Sequence, residues 1–162
     1  MREIRVIGDP VLRTPTEPVT VFDRELRRLI DEMFESMYAA EGVGLAGPQI
    51  GVSRRLFVYD CSGRKGHVVN PVLTVDDVEE FTDDEGCLSV PDRTTGRPLY
   101  APTARAAGVS VTGFDRLGRP LKLRARGLLA RCFQHETDHL DGMLYVDRLS
   151  KNARRKILAQ TP

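Results

Sequence analysis

The sequence predicts an α+β fold, and three observations carry the prediction. Phe22, Leu26, Leu29, Ile30, Met33, Met37 and Ala40 recur at helical spacing. The middle of the chain then holds short runs in which apolar and polar residues alternate. A second helical stretch follows those runs, so the order is helix, strands, helix, without a βαβ repeat. With 162 residues, 41% hydrophobic and 29% charged, the chain has the size and composition of one globular domain spanning residues 1–162.

Each element has a local cause. Pro10, Pro15 and Pro18 make the first twenty residues an extended, irregular arm. Asp23 as N-cap and Gly42 as stop bound a helix over residues 24–41. Strands are expected at Leu56–Tyr59, His67–Leu73, Cys87–Val90, Val109–Thr112 and Leu121–Leu123, and Asp115–Gly118 reads as the turn joining the last two. A second helix is expected over Leu128–Leu140, ended by Gly142, and a short one over Ser150–Gln160 closes the chain.

Composition narrows the function. A net charge of +1 supplies no strong positive field, so a DNA partner is not expected. No apolar run approaches the length of a membrane span, and MREIRVIGDPVLRTP carries no apolar leader segment. Cys61, Cys87 and Cys132 cannot all pair and lack a disulfide-framework spacing, which points to a reducing, cytoplasmic setting. Charge is uneven: Asp76–Glu85 is acidic, and Arg93–Arg131 contains Asp115 as its one acid. Both stretches read as solvated faces.

The strongest signal is His135-Glu136-Thr137-Asp138-His139. Histidines at i and i+4 lie one above the other on a helix face, close enough to share a metal ion. Glu136 projects beside that axis, where a carboxylate can accept a proton from water and pass it to a leaving group. No Glu follows Glu136 and no His follows His139; Tyr145 stands where a further His would be needed. A third ligand must then come from upstream, unless Asp147 returns after Gly142. A thiolate suits zinc or ferrous iron. Cys132, at i−3 from His135, would point away along the helix and reads as a packed residue. Cys61 reads as a loop thiol. Cys87, beside Gly86 in Glu85-Gly86-Cys87-Leu88-Ser89, is the best candidate. A third segment, Gly42-Val43-Gly44-Leu45-Ala46-Gly47-Pro48-Gln49, combines glycines with one amide side chain, as suits a loop that meets a ligand closely.

Together, GVGLAGPQ (Gly42–Gln49), EGCLS (Glu85–Ser89) and QHETDHL (Gln134–Leu140) resemble the motifs of the peptide deformylases, in the same order. GDPVLR (Gly8–Arg13), Asn70-Pro71-Val72-Leu73 and the Leu140–Ser150 segment extend the resemblance over nearly the whole chain. The resemblance implies small mixed or antiparallel sheets packed around a central HExxH metal-binding helix, with an N-terminal helix and a short C-terminal one. It implies a hydrolase that removes the N-formyl group from the formyl-methionine of new bacterial polypeptides and releases formate. Cys87, His135 and His139 would hold the metal, Fe(2+) in the cell, with Zn(2+) or Ni(2+) able to substitute. Glu136 would be the general acid and base, and Gln49 and the Leu88 N–H the oxyanion donors. Val43, Gly44 and Arg105 would bind the N-formyl-methionyl peptide, and a transient ribosome contact is implied.

Four departures from the family pattern carry expectations of their own. Gly47 replaces an alanine and should loosen its loop. The 92–104 loop is longer and should reshape the groove rim. Arg131 and Asp83 bring polarity to the methionine pocket. The tail after Ser150 is short. Two other readings use the same motif: a zinc endopeptidase, and a non-catalytic metal-binding relative. The missing downstream ligand speaks against the first. The presence of Glu136 and Gln49 speaks against the second, since a structural metal site needs neither.

Overall fold

Asp23 starts the first helix as its spacing predicts: Oδ1 accepts from the Leu26 N–H at 3.0 Å, and α1 runs over Arg24–Ala39. In the computed structural model, which describes residues 1–162, five strands follow: β1 (Gly44–Ala46), β2 (Leu56–Cys61), β3 (Arg64–Pro91), β4 (Pro98–Phe114) and β5 (Pro120–Arg126). They form one antiparallel sheet in the order β1-β2-β3-β4-β5, rather than several small mixed ones. Two helices complete the chain, α2 (Gly127–Leu140) and α3 (Lys151–Leu158). No helix is long and apolar enough to cross a membrane.

The irregular arm contains one ordered turn, a 3-10 helix at Pro10–Arg13 capped by Asp9. The larger difference is in the middle. His67–Leu73 and Cys87–Val90 belong to a single 28-residue strand that passes through the acidic stretch. Asp76, Asp83 and Asp84 remain exposed there, because β3 pairs with β4 through backbone bonds while one side faces solvent. The ladder breaks at several irregularities, the last between Gly86 and Pro91, which bend the strand. Residues 98–104 are strand, so the expected long loop shrinks to Asp92–Arg97, whose turn is held by Asp92 accepting from Thr94 and Thr95.

The alternation of β2 decides where the helices go. Phe57, Tyr59 and Cys61 point to one side, where they pack with Leu129, Ala130 and Phe133 of α2. Leu56 and Val58 point to the other, where Leu26, Ile30 and Met33 of α1 cover them. A third apolar cluster joins Cys87 and Val90 to Leu144, Tyr145 and Ile157, so the end of β3 is fixed from below by the C-terminal segment.

Candidate metal centre and groove

His135 and His139 lie one turn apart on α2, with ring centroids 4.9 Å from each other. Cys87 arrives from the bent end of β3, and its Sγ is 3.3 Å from His139 Nε2. One donor atom from each of the three lies within 4.8 Å of the others, and all three residues are buried. Two imidazoles and a thiolate are a donor set for a borderline divalent metal. Cys132 and Cys61 are outside this group.

The second layer of the site lies inside the same motifs. Glu85 Oε2 is 2.7 Å from His135 Nδ1, which leaves His135 Nε2 as the nitrogen free to ligate. The Glu85 carboxylate also accepts from Arg105 Nη2 at 2.6 Å and Nε at 3.0 Å, and from Arg131 Nη1 at 2.9 Å. Arg105 Nη1 continues to Asp138 Oδ2 at 2.7 Å, and Arg148 grips both oxygens of Asp138. Burial works against charge on Glu85, but His135 and Arg105 outweigh it and hold the carboxyl well below its usual range. Burial also works against charge on both histidines. It prevails at His139, whose pKa falls well below normal, while Cys87 and Glu85 raise that of His135. Tyr145 lies near-parallel to His135 with centroids 6.3 Å apart.

This network corrects the expectation for Arg105. It is 3% exposed and its guanidinium is occupied by Glu85 and Asp138, so it does not grip peptide. Two buried carboxylates need a fixed cation between them, and in sequence that cation looks like any other member of a basic stretch. Glu85 and Asp138 sit within EGCLS and QHETDHL, but their pairing with Arg105 and Arg148 leaves no signal in the sequence.

Gln49 and Leu88, the residues expected to supply the oxyanion donors, line the same groove as Cys87. Gln49 lies in a 3-10 helix at Gly47–Ile50, and its Oε1 accepts from the Ala46 N–H at 3.0 Å. That fixes the amide so that Nε2 donates to Ser89 Oγ at 3.1 Å and faces Cys87 Sγ at 3.8 Å. Leu88 sits where the β3–β4 ladder is interrupted. A groove of about 640 Å³ is lined by Val43, Gly44 and Gln49 on one side, by Cys87 and Leu88 on another, and by Glu136. A Cβ on Gly44 would stand 2.7 Å from Glu136 Oε1 and 3.0 Å from Cys132 Sγ, so only glycine lets β1 approach α2 this closely. Gly47 is constrained rather than loosening: its Cβ would meet the Arg54 and Val52 carbonyl oxygens at 2.7 and 2.8 Å. Arg131 borders the groove and Asp83 does not.

Burial pushes the Glu136 carboxyl up to about 7, and its Oε2, though buried, has no protein partner. An orphaned acceptor beside a three-donor cluster is what a metal and a water or substrate oxygen would complete.

A family model described as polypeptide deformylase matches residues 1–155. The peptide deformylase of Acidothermus cellulolyticus is 54% identical over 155 residues, covering 96% of this chain and 82% of its own. Peptide deformylase 1 of Corynebacterium efficiens is 50% identical over 159 residues, covering 96% of this chain and 90% of its own. Among solved structures, a peptide deformylase from Legionella pneumophila superposes with a TM-score of 0.90 at 44% identity, covering 99% of this chain and 92% of that one. One from Synechococcus elongatus, in complex with actinonin, gives 0.90 at 38% identity, with 99% and 85% covered.

Proposed function

The chain belongs to the polypeptide deformylase family, and from that premise we propose that Cys87, His135 and His139 hold its metal, ferrous iron in the cell, replaceable by zinc or nickel. The protein is a metal-dependent hydrolase that removes the N-formyl group from nascent peptides. When bound, the metal supplies Lewis acidity, which polarises the formyl carbonyl and makes water ionise near neutral pH.

The chain's own residues do the rest. Glu136 takes the proton of the attacking water and returns it to the amine nitrogen as the C–N bond breaks. A carboxyl poised near neutrality can do both. Gln49 Nε2 and the Leu88 N–H donate to the oxygen that gains negative charge, at about 3 kcal/mol per donor. Glu85 orients His135, and Arg105 keeps Glu85 ionised. Val43 and Gly44 line the channel for the formyl-methionine. Residues 1–162 act as one catalytic domain built around α2, in the cytoplasm, with transient contact to the ribosome from which the substrate emerges.

One observation carries the site assignment: the Cys87/His135/His139 cluster stands beside a buried carboxylate whose outer oxygen is unpartnered. The test is anaerobic purification, metal analysis and a formate-release assay. Stoichiometric iron and formate from a formyl-methionyl peptide are expected. Cleavage of an unformylated peptide at an internal bond would favour an endopeptidase, and metal without any turnover a non-catalytic relative.

A further inference from the structure

Ser89 is fully buried, and a hydroxyl costs free energy there unless it is hydrogen-bonded. Its partner is Gln49, whose Nε2 donates to Ser89 Oγ at 3.1 Å. The Ser89 backbone is engaged as well. Its N–H donates to Cys87 Sγ at 3.4 Å, and its carbonyl accepts from the Ile7 N–H at 2.8 Å. Two residues earlier on the same arm, the Arg5 N–H donates to the Gln49 carbonyl at 2.7 Å. The N-terminal arm thus clasps the Gln49 turn and the end of β3 side by side, and the Ser89 hydroxyl joins the two beside the metal ligands.

We propose that Ser89 is a positioning residue for deformylation: its hydroxyl fixes the Gln49 amide so that one N–H is held ready for the oxygen that gains charge. The inference rests on the reading of Gln49 as an oxyanion donor.

The planarity of the amide makes the role specific. The Ala46 N–H can only donate, so the Gln49 atom that meets it at 3.0 Å is Oε1. Nε2 then carries two N–H groups. Ser89 Oγ takes one, and the nitrogen faces Cys87 Sγ at 3.8 Å, on the side of the Cys87/His135/His139 cluster. With the oxygen and one N–H both held, the amide does not turn about its last side-chain bond, and the second N–H keeps its direction as charge develops. Without the hydroxyl only Oε1 is held. A buried N–H is left without its acceptor, and the amide turns to find another.

The thiolate and the amide depend on different atoms of Ser89. The bond to Cys87 Sγ comes from the backbone N–H, which an alanine keeps; the bond from Gln49 ends on the hydroxyl, which an alanine lacks. Substitution by alanine therefore separates support of the metal ligand from support of the oxyanion donor.

The experiment compares wild type, Ser89→Ala, Gln49→Ala and the double variant, nickel-loaded, by formate release from a formyl-methionyl peptide. Ser89→Ala should keep its metal, lower kcat by up to about 100-fold and leave KM nearly unchanged. The double variant should be no slower than Gln49→Ala, because Ser89 acts through that amide. Ser89→Thr, which retains a hydroxyl, should recover most of the lost kcat; if its added methyl overpacks the site, the double-variant comparison still decides. A second readout needs no turnover. In nitrogen-15 spectra of the zinc-loaded protein, the Gln49 side-chain amide, identified by its absence in Gln49→Ala, should shift in Ser89→Ala. An unmoved Gln49 resonance fails this proposal alone, whereas a wild-type protein that releases no formate fails the reading beneath it. Wild-type kcat in Ser89→Ala, loss of metal in step with activity, or penalties that multiply in the double variant would each overturn the proposal.

Discussion

Helices α1 and α2, of 16 and 14 residues, bury opposite kinds of side chain. The buried side of α1 is Leu26, Leu29, Ile30, Met33 and Met37, with Ser36 accepting from the Arg2 N–H as its one polar member. Buried on α2 are Arg131, His135, Glu136, Thr137, Asp138 and His139, alongside Leu129, Ala130, Phe133 and Leu140. For α1 the apolar stripe both explains the helix and anchors it. In α2 the apolar residues anchor the helix on β2, and every buried charge costs free energy unless something pairs with it. The partners come from distant parts of the chain: Glu85 on β3, Arg105 on β4 and Arg148 beyond α2. Stability in α1 is therefore a matter of volume, and in α2 a matter of complete pairing.

The largest expected effect removes the carboxylate that the α2 network leaves unpartnered. Glu136→Ala should lower kcat on the order of 10² to 10⁴-fold with metal content unchanged, as read by formate release and metal analysis on the same sample. Glu136 must be ionised to accept a proton, so wild-type activity should fall as pH drops below about 7. A bound cation favours the ionised form, which places that limb at or below this pH. If metal were lost in step with activity, Glu136 would belong with the paired structural charges of α2, and the contrast would need redrawing.

Next in size is Arg105→Ala, which removes the cation shared by two buried carboxylates and leaves Glu85 only Arg131 and His135, and Asp138 only Arg148. Breaking a buried pair of this kind costs about 3–5 kcal/mol, measured by urea unfolding. The pH dependence has a definite sign. Glu85 and Asp138 both have folded pKa values below their ordinary 4.5 and 3.8. Their contribution is fully present above those ordinary values and is lost as pH falls through the depressed ones. Arg105→Ala should therefore flatten the acid limb of stability as well as lower the plateau. A mutant of wild-type stability with a raised KM for long formyl peptides would instead restore a peptide-binding role for Arg105.

The same contrast explains what could be read in advance. The periodicity of α1 is visible because apolar burial leaves its mark every three or four residues, and the observed Arg24–Ala39 lies within the expected span. In α2 the motif chemistry is visible for a different reason: a metal needs particular donor types at particular spacing, and Cys87 joins the two histidines. What is hidden is whatever depends on pairing across the sheet. The acidic run Asp76–Glu85 reads as a solvated face lying between two short strands, because composition does not reveal that backbone bonds to β4 carry one strand through it. Arg105 reads as a peptide-binding residue and Arg131 as a polar residue of the methionine pocket, because burial of an arginine is decided by a carboxylate far away in sequence.

On the α1 side the decisive change is one of volume. Ile30→Ala removes a fully buried side chain and should cost about 2–5 kcal/mol. Ile30 faces Leu56 and Val58 on the side of β2 away from the metal centre, so kcat measured on the folded fraction should stay at the wild-type value. A fall in kcat at constant metal content would mean that the α1 side of the sheet transmits strain to the site, and the two helices would not be separable.

The smallest effect concerns how each helix begins. Asp23 is exposed, and its Oδ1 accepts from the Leu26 N–H at 3.0 Å, satisfying one of the amides that a helix leaves open at its start. Helix α2 has no such device: Arg126 is its N-cap and makes no side-chain cap bond, pairing instead with Asp77 on β3 at the surface. Asp23→Ala should cost about 1 kcal/mol, seen as a lower urea midpoint at unchanged m-value. Asp23→Ser keeps an acceptor and drops the charge, so it should recover most of that loss, the remainder being the charge's interaction with the helix dipole. Arg126→Ala should cost less than Asp23→Ala, because α2 is held along its length by Phe133, Leu140 and the Glu85–Arg105–Asp138 network rather than at its start. If Arg126→Ala proved the more costly of the two, α2 would depend on its first turn, and its buried charges would be guests on a helix stabilised in the same way as α1.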